Sequence, residues 1–363
     1  MYDFAIIGAG IAGASLAAEL VDAGAKTLLL EAEDAPGYHA TGRSAAFWEE
    51  CYGGPDIVPL TLASGEFLRD GGFLDTRGAL YVGRDGDAAA LDGFERRFAD
   101  TGVSIERIGR QGLAQRVPGI RDSWTSAIWE PACADIDVAR LHQHYLDRAR
   151  QADANLTCRA RVVDISPKQG AWSLECADGT GWSAGAIVNA AGAWADHIAA
   201  LAGARPIGIR PLRRTVVQLR VSPAPPRDLP LVLDIGGGFY FKPEAGRVWL
   251  SPHDEEPSEA CDAAPEELAV AQAIERFEGV VDWQVEAVER KWAGLRSFAP
   301  DRRPVYGWDA TIDGFAWFAG QGGFGIQTSP AAARLAAQVL TGSDPDFMTE
   351  SLEAALYDPA RFA

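Results

Sequence analysis

Gly8, Gly10 and Gly13 share the run Gly8-Ala9-Gly10-Ile11-Ala12-Gly13, and an acid, Glu31, follows about 20 residues on. These residue types at this spacing can hold a diphosphate and a ribose. The first glycine lets the chain turn tightly, the second brings the backbone beside phosphate oxygens, and the third lets a helix close on a strand. A helix starting at Ile11 and Ala12 offers unpaired N–H groups and a partial positive charge. Glu31 can accept hydrogen bonds from both ribose hydroxyls and would repel a 2′-phosphate. The pattern points to a dinucleotide without that phosphate; a structural glycine turn is the plainer alternative.

The residues need a strand, a helix and a second strand to position them. Asp3-Phe4-Ala5-Ile6-Ile7 has the length of a buried strand, an alanine- and leucine-rich stretch reads as a helix ending near Ala23-Gly24, and Thr27 to Leu30 supplies the second strand. Residues 35–46 then break the pattern of an ordinary NAD domain. They are small, polar and glycine-broken, and can pass beneath a long cofactor with the hydroxyls of Thr41 and Ser44 and the cation of Arg43. A surface loop is the alternative, although the attached Ala45-Ala46-Phe47-Trp48 is apolar for one. Residues 186–189 read as a strand entering the small-residue turn 190–194. Phe315 to Ala319 reads as a strand entering a glycine loop, with a helix from about Pro330 to Gly342. That helix start suits the end of a flavin where negative charge appears on reduction, so the cofactor expected is FAD.

The 363 residues leave room for about two domains. A net charge of −18 opposes a nucleic-acid partner. No stretch reaches the ~20 apolar residues of a membrane span. The apolar start lacks a basic leader and is broken by glycines, so it is expected to be folded structure in a cytoplasmic protein. Five cysteines, odd in number and without CxxC spacing, are expected to be buried free thiols. His39, His142, His144 and His197 show no metal-binding arrangement.

With these stretches in view, the chain resembles the D-amino-acid oxidase superfamily of FAD enzymes, and within it the bacterial D-arginine dehydrogenases. The resemblance is carried by residues 7–13, 36–46 (PGYHATGRSAA), 188–194 (VNAAGAW), 239–246 (FYFKPEAG), 292–298 (WAGLRSF) and 321–328 (QGGFGIQT). It implies an α/β fold: a Rossmann-like, glutathione-reductase-type FAD-binding domain of residues 1–50, 136–205 and 300–363, and an α+β substrate domain of 51–135 and 206–299 with an antiparallel sheet. The β-rich 216–221 and 239–241, and a helix opening at Asp137, are compatible with that division.

The resemblance extends non-covalent FAD binding from Gly8, Gly10, Ile11, Ala12, Gly13, Glu31, Thr41, Arg43 and Ser44 to Ala32, Gly42, Ala45, Ala46, Val162, Ala191, Gly192, Trp194, Arg296, Gly322, Gly323, Gly325, Ile326, Gln327 and Thr328. It implies hydride transfer from an α-carbon to flavin N5, giving an imino acid that water hydrolyses. Its carboxylate-binding arginines fall on Arg214 and Arg296, its active-site tyrosines on Tyr240 and Tyr52, and its backbone groups that hold the substrate amine and the flavin on Gly323 and Gln327. Arginine suits a bidentate carboxylate grip. Arg214 can also be read as part of a solvated cluster with Arg210 and Arg213, and the two tyrosines as packing aromatics.

Three positions depart from the relative. Ala79 stands for its guanidinium-binding glutamate, Phe47 for a histidine and Glu49 for a threonine. Losing a charge partner disfavours a cationic side chain, so apolar or aromatic D-amino acids are expected; Glu49 as a relocated carboxylate would keep D-arginine or D-lysine. The cysteine that holds FAD in sarcosine-oxidase-like relatives falls near Gly294, and their oxygen-activating lysine near Trp249. A dehydrogenase using a quinone or another acceptor, with O2 as the alternative, is therefore expected. An oxidase of glycine or of secondary or N-methyl amines and a non-catalytic flavin-binding partner are the rival readings.

Overall fold

The computed structural model describes residues 1–363. Its first sheet is built on parallel strands. Tyr2–Ile7 lies between Thr27–Leu30 and Gly181–Asn189, which in turn lies beside Phe315–Ala319, with Ile6 level with both Leu29 and Val188. Successive side chains of a strand point to opposite faces, and both faces here are covered, which is why these strands read as unbroken apolar runs. Ile6, Leu29, Val188 and Ala316 pack on one side; Ala5, Ile7, Leu28, Leu30, Ile187 and Trp317 pack on the other. The helices Ile11–Asp22, Val138–Gln151 and Ser329–Thr341 cover the first side. The Asp137 carboxylate accepts from the Arg140 N–H at 3.0 Å, so it caps its helix as expected. Gly342, at φ +70°, ends the last one.

A ten-stranded second sheet is dominated by the long pair Arg210–Ser222 and Gln284–Phe298. Their register sets Leu212 opposite Arg296 and Arg214 opposite Gly294. Cross-strand partners share a face, and so do residues two apart on one strand. Arg214 and Arg296 are therefore diagonal neighbours on one surface. A row across the same sheet aligns Tyr81, Leu233, Tyr240 and Ser251. The sheet is mixed rather than antiparallel throughout, because Leu231–Asp234 runs parallel to Ala79–Arg84. A small third sheet joins Phe47–Trp48 to Ala134–Ile136 and Leu74–Thr76.

No helix is long and apolar enough to cross a membrane. The cysteines are unpaired; Cys51, Cys133 and Cys176 are buried, but Cys158 is only half-buried and Cys261 is exposed. The expectation of buried thiols fails for those two because both lie outside the packed layers, Cys261 in the irregular segment after the strand Glu256–Pro257.

Helix Ile11–Asp22 meets the first strand at a point with no spare space: a Cβ on Gly13 would lie 1.9 Å from the Gly8 carbonyl oxygen. Backbone cannot yield as a flexible side chain would. Gly13→Ala is expected to cost about 2–4 kcal/mol, read as a lower denaturant midpoint. An unchanged midpoint would mean that the helix shifts freely.

Candidate active site

One elongated cavity of about 1080 Å³ runs from the Gly8 turn to the Arg214–Arg296 surface. The candidate residues all lie on its wall except Gly13, Gly42, Thr328 and Ala79. Those four stand one layer behind it. Gly13 abuts Gly8, the Gly42 N–H donates to the Gly37 carbonyl, and Thr328 donates its hydroxyl to the Phe324 carbonyl. Ala79 shares the face of Tyr81 but is fully buried, so Tyr81 forms the wall where Ala79 was expected to contribute.

The nucleotide end fits FAD. Gly8 has φ +103°, and a Cβ there would sit 2.5 Å from the Ala190 carbonyl oxygen, so only glycine can make this turn. The Ala12 amide has no partner within the chain and lies on the wall. Glu31 is buried and accepts from the Ala9 and Glu33 amides, both at 3.0 Å, which orients its carboxylate. Each oxygen retains a lone pair for a ribose hydroxyl.

Two loop hydroxyls on the cavity wall also brace the backbone. The Thr41 hydroxyl, on the cavity wall, accepts from the Ile11 N–H at 2.9 Å and so caps the helix, while its own O–H stays available to a ligand. The Ser44 hydroxyl accepts from the Ala46 amide at 3.0 Å. Arg43 turns toward the Ala263 and Ala293 carbonyls and the Asp262 carboxylate, tying the flavin loop to the second sheet.

At the opposite end the two guanidiniums meet. Arg296 donates to the Tyr52 hydroxyl at 3.0 Å, and Arg214 donates through Nε to the Asp254 carbonyl at 2.8 Å. Nη2 of Arg214 and Nε of Arg296 are buried without a hydrogen-bond partner. Burial and the nearby Arg296 pull the Arg214 pKa below the usual arginine value. An anion would relieve both effects. The solvated-cluster alternative does not describe Arg214, which is only 7% exposed. Gly323 is indispensable, since a Cβ would fall 1.9 Å from the Tyr52 hydroxyl and 3.0 Å from Arg296 Cδ. Tyr240 packs edge-on against Phe47 with ring centres 5.8 Å apart.

His253, Glu255 and Arg302 also line the cavity, and the sequence offered no signal for them. They lie in irregular segments that tertiary packing brings to the arginines. His253 contacts Tyr240 edge-on, and burial followed by the positive Arg214 and Arg296 lowers its pKa to about 3. It is therefore a neutral imidazole here. Lys242, opposite Trp249 in register, also stands near this wall: its Nζ lies 5.2 Å from the Phe47 ring centre. It is held by Asp135 at 2.8 Å and Glu244 at 3.1 Å, and opens on a second cavity that shares only residues 44–46 with the first.

Glu49 is buried in the cavity wall, receives the Tyr81 hydroxyl hydrogen bond, and brackets Gln327 through its own backbone. Burial, followed by the charge of Glu130, pushes its pKa up to about 8, with the Tyr81 bond opposing. Glu130 is raised in the same direction by burial. The Glu49 carboxyl in this wall is thus held mostly protonated at neutral pH.

A family model described as FAD dependent oxidoreductase (DAO) matches residues 3–339. Hydrogen cyanide synthase subunit HcnC of Pseudomonas aeruginosa is 25% identical over 227 residues, 62% of this chain and 53% of that protein. The chain spans about half the length of the curated relatives it matches. Iminodiacetate oxidase of Chelativorans sp. is 26% identical in sequence with a TM-score of 0.78, covering 98% of both chains. Glycine oxidase of Geobacillus kaustophilus shares the fold at 22% identity and a TM-score of 0.85, covering 99% of this chain and 98% of its own.

Glu49 predicts a pH signature. Between its ordinary value of 4.5 and about 8 the folded chain holds a proton that the unfolded chain has released. The native state binds more protons there, so stability falls as pH rises through that window. Glu49→Gln should flatten the decline in melting temperature and melt higher than the wild type above about pH 8. Parallel profiles for the two proteins would refute a buried, protonated Glu49.

Proposed function

The chain belongs to the DAO family of FAD-dependent oxidoreductases, and from that premise we propose that it oxidises D-amino acids with apolar or aromatic side chains to imino acids. Bound FAD supplies the hydride acceptor; the protein supplies the grip and the orientation. The buried, unpartnered Nη2 of Arg214 beside Arg296 carries this reading. It is a site for one carboxylate, with Tyr52 bracing Arg296. Phe47, Tyr81, Phe94, Leu233 and Ile235 give the side chain an apolar chamber. Glu49, protonated at neutral pH, supplies no carboxylate charge to hold a cationic D-arginine-type side chain. We take residues 1–50, 136–205 and 300–363 as the cofactor domain and 51–135 with 206–299 as the substrate domain.

FAD is held non-covalently in this reading, since glycine occupies position 294 on the wall. The electron acceptor is a quinone or related carrier. Unpaired cysteines favour a cytoplasmic setting. A second reading, oxidation of glycine or a secondary amine with O2, is favoured by the 26% identity to iminodiacetate oxidase and by Lys242 behind Phe47.

Anaerobic mixing of the FAD-loaded protein with D- and L-amino acids, glycine, sarcosine and iminodiacetate separates the readings. Bleaching of the flavin by D-phenylalanine or D-leucine is expected; bleaching only by the amines would establish the second reading, and none at all would leave a flavin-binding protein. Arg296→Met should raise KM by roughly 10- to 100-fold while FAD stays bound. An unchanged KM would remove Arg296 from the carboxylate site. Oxygen consumption under air tests the acceptor, with slow uptake expected.

A further inference from the structure

The acid-binding end contains a third guanidinium and an internal anion. Glu255 Oε1 lies 2.8 Å from Arg296 Nη2 and 2.9 Å from Arg302 Nη2, and its Oε2 is 3.1 Å from Arg302 Nη1. The same Oε1 is 3.8 Å from Arg214 Nη2. Its carboxylate thus stands among three guanidiniums, as a bound carboxylate would. Asp254 plays a different part. Its side chain is turned to Thr215, accepting from the N–H at 2.8 Å and the hydroxyl at 2.9 Å, and its carbonyl takes Arg214 Nε and Arg296 Nη2. Asp254 anchors the segment, whereas Glu255, with a side chain 36% exposed, reaches from it into the cavity.

The charges leave a definite remainder. Arg214, Arg296 and Arg302 face Asp254 and Glu255, which leaves one positive charge uncompensated. His253 is neutral. The neighbouring Arg303 and Arg361 are paired with Asp56 and Asp301. One position is already filled by the protein's own carboxylate, and one remains at the orphaned Arg214 Nη2.

We propose that Glu255 is a specificity-determining residue: it occupies the second anion position of the acid-binding end, so that the site admits a ligand with one carboxylate there and turns away one with two. The inference rests on the reading of Arg214 and Arg296 as the carboxylate site. A geminal diacid would place its second carboxylate against Glu255, and like charges at close range in a partly dry site repel strongly. Glu255→Gln keeps the shape and frees Arg302 and Arg296 for that second group. Arg302→Met removes the opposite charge.

The test uses the FAD-loaded protein and two unreactive probes, propionate and malonate, with dissociation constants read from the perturbed flavin spectrum. Propionate is expected to bind the wild type more tightly than malonate. Glu255→Gln should tighten malonate by about tenfold more than propionate and reverse the order. Arg302→Met should weaken both, and the double variant, which restores the remaining charge, should return propionate to within about threefold of the wild type. Equal tightening of both probes by Glu255→Gln would overturn the proposal, since it would reveal a diffuse charge effect and no filled position. No change in either would also overturn it. If propionate fails to perturb the wild-type flavin, or binds Arg296→Met equally well, the parent reading of the carboxylate site falls instead. Melting temperatures of the loaded variants identify any that fail to fold, and Glu255→Asp, which retains the charge, should keep the wild-type order.

Discussion

The site depends on the register of one antiparallel pair. Arg210–Ser222 and Gln284–Phe298 align so that Arg214 and Arg296 stand diagonally on one face. A slip of one strand by one residue would turn its side chains over and leave the two arginines on opposite faces of the sheet. The register is secured by the length of the pairing and by the apolar residues behind it. Val217, Leu219 and Val221 are buried in a core with Phe241, Val248 and Phe277. Alternation then forces the residues between them to the other face, where Val216 and Arg214 line the cavity. Hydrophobic burial on one side therefore fixes the cations on the other.

Two like charges held together and away from water oppose folding unless something answers them. The chain answers with Asp254 and Glu255, and with hydroxyl and carbonyl oxygens from Tyr52 and Asp254. The compensation is incomplete at Arg214 Nη2. That incompleteness suits the place to an anion, which would gain what the fold left unmade.

The two ends of the cavity use different physics. At the nucleotide end, absence of side chains is decisive: glycines at 8, 10 and 13 permit close approach, and the Ala12 amide is left facing the cavity. In the substrate chamber, buried polar groups are kept neutral. Glu49 is raised and His253 lowered, so neither adds a formal charge beside Phe47 and Tyr240 near neutrality. Charge is concentrated at the guanidinium end, which would give an anionic ligand one orientation.

The sequence by itself determined the local features. The strand–turn–helix at the start, the strand Phe315–Ala319, the Asp137 cap and the end of the last helix at Gly342 follow from apolar periodicity and from residues with few conformational alternatives. The glycine constellation was legible because its constraint is steric and lies within one short stretch. Tertiary structure decided whatever depended on distant segments. It gave Thr41 a helix N–H to cap, withdrew Ala79 behind Tyr81, and made the second sheet mixed. It brought Lys242 toward Phe47, and set His253, Glu255 and Arg302 around the arginines. Those residues sit in loops or on strands where no periodicity marks them. Their roles arise from electrostatic fields and burial, which sum over neighbours far apart along the chain and so leave no local trace in its spelling.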